Sequence, residues 1–349
     1  MRKNNQLFIG RSLLKKMSKF INVRDYSKIG ILTDENIAKY WLSILKKGID
    51  KQIIPIIIPP GEKMKTITQT IEIWKKMMEA GFDRHSLLIN LGGGVISDMG
   101  GFAASTYMRG IDFVNIPTSL LAMVDASIGG KTGINFNRIK NIIGTFNQPV
   151  KIIIDTHVLK TLSIRQLKAA FAEIIKHGII SNPKYFDFAT SKKPEEFSNI
   201  ELLEIIKDSI RIKKGIVDED PKETGLRKSL NFGHTIGHAI EALSLETQNP
   251  LLHGETIAIG MIAESKLAEL SKLLSSNDFL KIELAIKNSG LPTKIKNISM
   301  KDILKKIQSD KKNRSGKILW TLPKKIGRVD INIETSNGNI NKSITYILS

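Results

Sequence analysis

The chain has 349 residues, 41% of them hydrophobic, a formal net charge of +19 and no cysteine. That length and composition suit two globular cores. The missing cysteine excludes disulfides, thiolate zinc sites and cysteine nucleophiles, and no apolar run is long enough to span a bilayer. The lysines behind the positive charge are spread along the chain among abundant Ile and Asn. No nucleic-acid-binding motif or aromatic-interleaved basic patch accompanies them, so the charge reads as compositional bias and not as a nucleic-acid surface.

Residues 1–20 hold several Lys and Arg and no acid, but they lack the apolar core and cleavage site of a secretory signal. Leu7, Phe8 and Ile9 read as a strand of the mature protein, and the expected compartment is the cytoplasm. Apolar runs at 29–33, 52–58, 86–91, 113–116 and 151–154 read as further strands. Helical patterns at 36–47 and 68–80 alternate with them and stop at Gly48 and Gly81, which argues a parallel sheet with crossover helices. After Leu162 the texture turns to long helical periodicity over 165–180, 200–213, 234–245, 255–274 and 278–287, with a return to strand at 317–322 and 330–333. The expected organisation is an α/β domain over 1–162 and a mainly α-helical domain over 163–349, without internal repeats.

The strand that ends at Leu91 runs into Gly92, Gly93 and Gly94, then Val95, Ile96, Ser97 and Asp98 at a helix start. Glycines there let a backbone approach a pyrophosphate held by helix N-terminal amides. Ser97 stands where the last glycine of a full dinucleotide fingerprint would be. A second glycine pair, Gly129-Gly130, precedes Lys131; Asp125 occupies the place of the first P-loop glycine, so the loop reads as an anion site whose charge is Lys131.

The helical half carries Glu173, His234 and His238 four residues apart, and His253 ahead of Gly254-Glu255. One Glu and two His make an open metal site with room for a substrate. Spacing puts His234 and His238 on one helix face, and it does not choose between His238 and His253. Single histidines usually serve packing; the density of His, Lys, Arg and Asn around 231–253 and Glu173 is what argues for a site. Arg227 and Asn231, four apart ahead of His234, would share a helix with it and place an anion site beside the metal. The charged stretch 218–222 reads as a solvated loop.

Taken together, 92–101, Arg109-Gly110, 117–125, 128–132, Lys140-Asn141, Ala172-Glu173, 225–238 and 252–255 closely resemble 3-dehydroquinate synthase, over about residues 10–328. The resemblance implies a Rossmann-like NAD-binding N-terminal domain, an α-helical metal- and substrate-binding C-terminal domain, and a site in the cleft between them. It implies one divalent metal, normally zinc with cobalt as the alternative, on Glu173, His234 and His253. It leaves His238 for proton transfer or hydrogen bonding, Glu223 as general base, and Lys131 and Lys213 among the catalytic groups. Substrate contacts carry over onto Arg109, Asp125, Lys131, Asn141, Lys176, Lys213, Arg227, Asn231 and one of Lys311 and Lys312, with Lys312 taken. NAD contacts carry over onto Asp34, Asn36, Glu62, Lys65, Gly93, Gly94, Val95, Asp98, Thr118, Ser119 and Lys140.

The implied reaction converts 3-deoxy-D-arabino-heptulosonate 7-phosphate to 3-dehydroquinate and phosphate by transient oxidation, phosphate elimination, re-reduction and aldol closure. A homodimer is the implied assembly. Related sugar-phosphate cyclases, the 2-deoxy-scyllo-inosose and valiolone-type synthases, are the alternative, and Arg227, Asn231 and His238 favour a substrate bearing a carboxylate. The chain departs from the family pattern at Ala126, Ile139 and Pro221, and its first strand is expected to be shortened or lost.

Overall fold

The computed structural model describes residues 6–137, 139–308 and 318–349. The chain divides into two compact units, Met1–Ser163 and Ile164–Ser349.

In the first unit, β1 (Gln6–Gly10), β2 (Ile29–Asp34), β3 (Ile53–Ile58), β4 (Leu87–Gly92), β5 (Asp112–Pro117) and β8 (Lys151–Asp155) form a six-stranded sheet in the order β1-β8-β5-β4-β2-β3. Every pair in it is parallel. Central strands of such a sheet are covered on both faces, and all six residues of β4 are buried accordingly. Pro55, which cannot donate to a ladder, falls in the edge strand β3. The first strand is not lost: β1, which holds Leu7, Phe8 and Ile9 as read from the sequence, pairs with β8 residue for residue from Gln6 to Gly10.

Helical segments α1 (Glu35–Ile37) and α2 (Ser43–Lys47) are joined by a π turn over Ala38–Leu42, and α3 (Ile67–Glu79) and α4 (Gly94–Thr106) follow β3 and β4. Ile73 and Met77 of α3, Phe102 of α4 and Phe113 of β5 meet in one apolar core. An antiparallel hairpin, β6 (Lys131–Phe136) and β7 (Ile139–Phe146), was not legible in the sequence. Its strands pair Gly133 with Gly144, and glycine erases the side-chain alternation by which a strand is recognised.

The second unit contains α5 (Ile164–Ser181), α6 (Pro183–Ala189), α7 (Asn199–Glu219), α8 (His234–Ser244), α9 (His253–Leu270), α10 (Ser276–Asn288), α11 (Met300–Gln308), a hairpin of β9 (Trp320–Lys325) and β10 (Arg328–Ile333), and α12 (Asn337–Leu348). Helix α9 is apolar nearly all round and runs through the core, with Ile257, Met261 and Ile262 fully buried among Ile175, Ile236, Trp320 and Ile344. The short helices α6, α11 and α12 lie outside the expected helical stretches, and the final strand pair is a hairpin beginning at Trp320. Lys317, the expected start of that strand, is outside the described residues.

Candidate active site

Three helices of the second unit bring the metal-ligand candidates together. Glu173 lies in the middle of α5, while His234 and His253 are the first residues of α8 and α9. The helices approach closely because glycines stand at the contacts: a Cβ on Gly254 would lie 1.8 Å from the carbonyl of Ala169, one turn before Glu173. Glu173 Oε1 faces His234 Nε2 at 3.6 Å and His253 Nε2 at 3.7 Å, and the carboxylate is wholly buried. One donor atom from each of the three residues falls within 4.8 Å of the others.

The imidazoles are oriented by their other nitrogens. His234 Nδ1 lies 3.1 Å from the carbonyl of Phe232, and His253 Nδ1 lies 3.4 Å from Glu241 Oε2. The neutral tautomer that donates from Nδ1 leaves the Nε2 lone pair of each ring directed at Glu173, the arrangement a metal-binding histidine requires. Burial opposes a charged ring at His253, but the Glu241 and Glu173 carboxylates outweigh it and push the imidazole up to about 10. The same two carboxylates would favour a metal ion, whose binding displaces that proton and restores the neutral ring. One carboxylate and two imidazoles are donors suited to zinc or cobalt with a position left open, so the residues fit a divalent transition metal.

His238, one turn beyond His234, has its ring centroid 4.9 Å from that of His234. With Glu241 and His253 it makes a second, overlapping group of possible ligands. Glu241, missed in the sequence because nothing marks an acid on a helix as the partner of a distant histidine, is buried and contacts His253, the residue common to both groups.

Lys176, 1% exposed, pairs with Glu173 one turn away on α5, and Lys213 of α7 is also buried. The segment before α8 differs from the expectation of one helix carrying Arg227, Asn231 and His234. Leu226–Asn231 is a 3-10 turn, and the chain breaks at Phe232 and Gly233, whose φ is +80°. The turn is organised by Asp220, which is buried and not the solvated residue expected for 218–222. Its carboxylate accepts from the backbone N–H groups of Thr224, Gly225 and Arg227 at 3.0, 2.7 and 3.1 Å. Burial works to raise the Asp220 carboxyl, and these donors prevail and hold it down at about 2. Arg227 Nη1 donates to the carbonyl of Pro221 at 2.7 Å, and Asn231 Nδ2 donates to Glu223 Oε1 at 2.7 Å. Glu223 has φ +60°, which turns the chain back so that its carboxylate meets Asn231.

In the first unit, the expected NAD contacts gather at the carboxyl edge of the sheet. The chain steps from β2 outward to β3 and from β4 in the opposite direction to β5, so the glycine turn after β4 and Asp34 at the end of β2 flank a topological switch point. Asp34 caps α1, accepting from Ile37 N–H at 3.0 Å. Burial raises its carboxyl above the usual range against the opposing N–H groups of Ile37 and Asn36. Gly93 precedes α4 without any side-chain cap, leaving the first-turn amides of that helix to other acceptors. The N–H of Thr118, after β5, donates to Gly92 O at 2.9 Å.

Beside this edge, Lys65 Nζ meets Asp98 Oδ2 and Asn141 Oδ1, each at 2.5 Å. Burial raises the Asp98 carboxyl more strongly than Lys65 lowers it. Lys140 pairs with Glu62 at 3.5 Å. Asn135 was not singled out in the sequence, yet it links the two sets: its Nδ2 donates to Glu62 at 2.9 Å and its Oδ1 accepts from Asn141 N–H at 2.9 Å. Only the unforeseen hairpin brings it there. Arg109 is exposed with φ +69°, Asp125 lies in a π turn over Ala122–Ala126, and Lys131 opens β6. Lys311 and Lys312 lie outside the described residues.

Residues 55–169 match the model of the 3-dehydroquinate synthase N-terminal family, and 170–313 match that of the 3-dehydroquinate synthase C-terminal family. The chain is 42% identical over 330 residues to the 3-dehydroquinate synthase of Alkaliphilus metalliredigens, covering 93% of this chain and 90% of that protein. It is 45% identical over 304 residues to the 3-dehydroquinate synthase of Pyrococcus abyssi, covering 87% and 89%. Among solved structures, the 2-epi-5-epi-valiolone synthase of Streptomyces hygroscopicus subsp. jinggangensis, with NAD+ and Zn2+ bound, superposes with a TM-score of 0.90 at 25% identity, covering 99% of this chain and 97% of that one. The Rossmann-like parallel sheet followed by a helical unit is the fold these proteins share. On the two family matches and on identities above 40% over nearly the whole length, the chain belongs to the 3-dehydroquinate synthase family.

Proposed function

We propose that this protein converts 3-deoxy-D-arabino-heptulosonate 7-phosphate to 3-dehydroquinate and phosphate, an NAD- and metal-dependent lyase reaction of the shikimate pathway. The observation that carries the reading is the convergence of Glu173, His234 and His253, with one carboxylate oxygen facing both Nε2 atoms. Relatives above 40% identity bear the name of this activity, whereas the valiolone synthase stands at 25%, which favours this substrate over that of another sugar-phosphate cyclase.

In this reading Glu173, His234 and His253 hold the metal, and Asp34, Asn36, Glu62, Lys65, Gly93, Gly94, Val95, Asp98, Thr118, Ser119 and Lys140 bind the dinucleotide. When bound, NAD supplies a regenerated hydride acceptor and the metal supplies Lewis-acid polarisation of the alcohol oxygen. The buried cations Lys176, Lys213 and Arg227 neutralise the phosphate and carboxylate of the substrate, Arg227 in a bidentate manner and the lysines as point charges. Asn231 orients both the substrate and Glu223, which acts as general base from the carboxylate that Asn231 holds. His238 moves protons beside His234. Arg109, Asp125, Lys131 and Asn141 are proposed substrate contacts of the first unit, with Lys131 and Lys213 assisting catalysis. Holding a flexible substrate in one conformation makes the later ring closure nearly unimolecular. A homodimer in the cytoplasm completes the proposal on the family resemblance; light scattering of the purified protein at two concentrations tests the assembly.

The test is phosphate release from 3-deoxy-D-arabino-heptulosonate 7-phosphate by purified protein with NAD+ and Zn2+, against a chelated control and His253→Ala. Release that needs both the metal and His253 is expected. Zinc and NAD+ binding without phosphate release would overturn the substrate and point to other sugar phosphates.

A further inference from the structure

Helix α8 begins with a defect. The first N–H groups of any helix lack intrahelical partners, and a side chain at the N-cap usually accepts from one of them. Here the N-cap is Gly233, which has no side chain. Nor is a larger residue tolerated: φ is +80°, and a Cβ would lie 2.5 Å from Met261 Cγ. Gly233 is also pressed against α9, where a Cβ on Gly260 would come within 2.0 Å of the Gly233 carbonyl.

One turn beyond Gly260 on α9 stands Glu264, wholly buried. Its Oε2 accepts the N–H of Gly233 at 2.6 Å and its Oε1 the N–H of Ile236 at 3.0 Å. These are the N-cap and third-position amides, the two that a capping box satisfies with two residues of its own helix. A single carboxylate from the neighbouring helix serves both, and the positive end of the α8 dipole adds to its stabilisation. Between the two anchored amides lies His234, the first residue of α8.

We infer that Glu264 is a positioning residue for the metal centre, fixing the backbone on either side of His234 through a capping box supplied in trans by α9. The inference rests on the metal reading above. Zinc ligands must be placed to within about 0.2 Å, so a first turn free to fray or rotate weakens the site without any ligand being touched. His253 needs no such help, because Glu255 on its own helix accepts the Leu252 N–H at 2.7 Å.

The test compares the full-length protein with Glu264→Gln and Glu264→Asp. Glutamine keeps the shape but turns one acceptor into a donor facing an N–H; aspartate keeps the charge and falls one methylene short. Zn2+ is titrated calorimetrically into metal-stripped protein, the Co2+ d–d spectrum is recorded, and NAD+ affinity and the thermal midpoint are measured alongside. Expected is a Zn2+ Kd weakened by about 10–100-fold in Glu264→Gln, with an altered Co2+ spectrum, unchanged NAD+ affinity, and an intermediate Glu264→Asp. A merely structural carboxylate would lower the thermal midpoint and leave the Zn2+ Kd and Co2+ spectrum as in wild type, overturning the inference. Should Glu264→Gln not fold, Glu264→Asp decides by the same readouts. If wild type binds no Zn2+, the metal reading falls and the inference with it; zinc bound equally by all three chains sinks the inference alone.

Discussion

Asp220 and its neighbours illustrate how much a single side chain can arrange. Its carboxylate gathers three backbone N–H groups and thereby sets the turn that carries Glu223, Arg227 and Asn231. Because its folded value, about 2, lies below the ordinary 3.8, the group contributes stability that is complete above pH 4 and lost as the pH falls through 2. Asp220→Asn is therefore expected to be less stable than wild type at pH 7, and the difference should shrink as the pH approaches 2, as followed by urea unfolding at several pH values. The same variant should lower kcat by about tenfold or more with little change in zinc affinity, since it displaces the proposed base and cations but not the ligands. Unchanged kinetics would detach the turn from the chemistry.

At the level of elements, the site depends on helices brought unusually near one another. Gly254→Ala would force α9 away from α5 at the Ala169 carbonyl, and overpacking of this kind costs about 1–3 kcal/mol. Because Glu173 and His253 sit on the displaced helices, a loss of stability accompanied by weaker zinc binding is expected; calorimetric zinc titration beside denaturant unfolding separates the two. Helix α7 presents Lys213 and starts in a capping box, Ser198 Oγ accepting from Glu201 N–H at 3.3 Å while Glu201 Oε2 accepts from Ser198 N–H at 2.8 Å. Ser198→Ala should cost about 1 kcal/mol in urea unfolding. With the helix otherwise intact, KM should stay as in wild type.

For the whole molecule, binding and stability are linked by mass action. Zinc at about 100 times its Kd should raise the unfolding free energy by about 2.7 kcal/mol, and a chelator should abolish that gain, as read by thermal or urea unfolding. An equal stability with and without metal would contradict a preformed site. The net charge of +19 bears on encounter with an anionic sugar phosphate: KM should rise with ionic strength as the attraction is screened. A salt-independent KM would show that the charge lies elsewhere than around the substrate.

Local patterning was enough to read the α/β-then-helical order, the strands of the parallel sheet and most long helices, because period-2 and period-3.6 apolar patterns are local properties of a chain. It also brought the ligand candidates within sight, as clustered His, Glu, Lys and Arg. Where signals were not local it fell short. The β6–β7 hairpin hides behind paired glycines, so Asn135 and its links to Glu62 and Asn141 went unread. Spacing alone left His238 and His253 open as partners of Glu173; the family resemblance named His253, and the crossing of α5, α8 and α9 sets His234 and His253 opposite Glu173. Asp220 looked like solvent-exposed charge because a carboxylate's backbone donors depend on a turn no spacing announces. Glu264 and Glu241 are unremarked acids on apolar helices until tertiary packing sets one against the α8 amides and the other against His253. Periodicity records which way a side chain faces on its own element; only packing decides what it meets there.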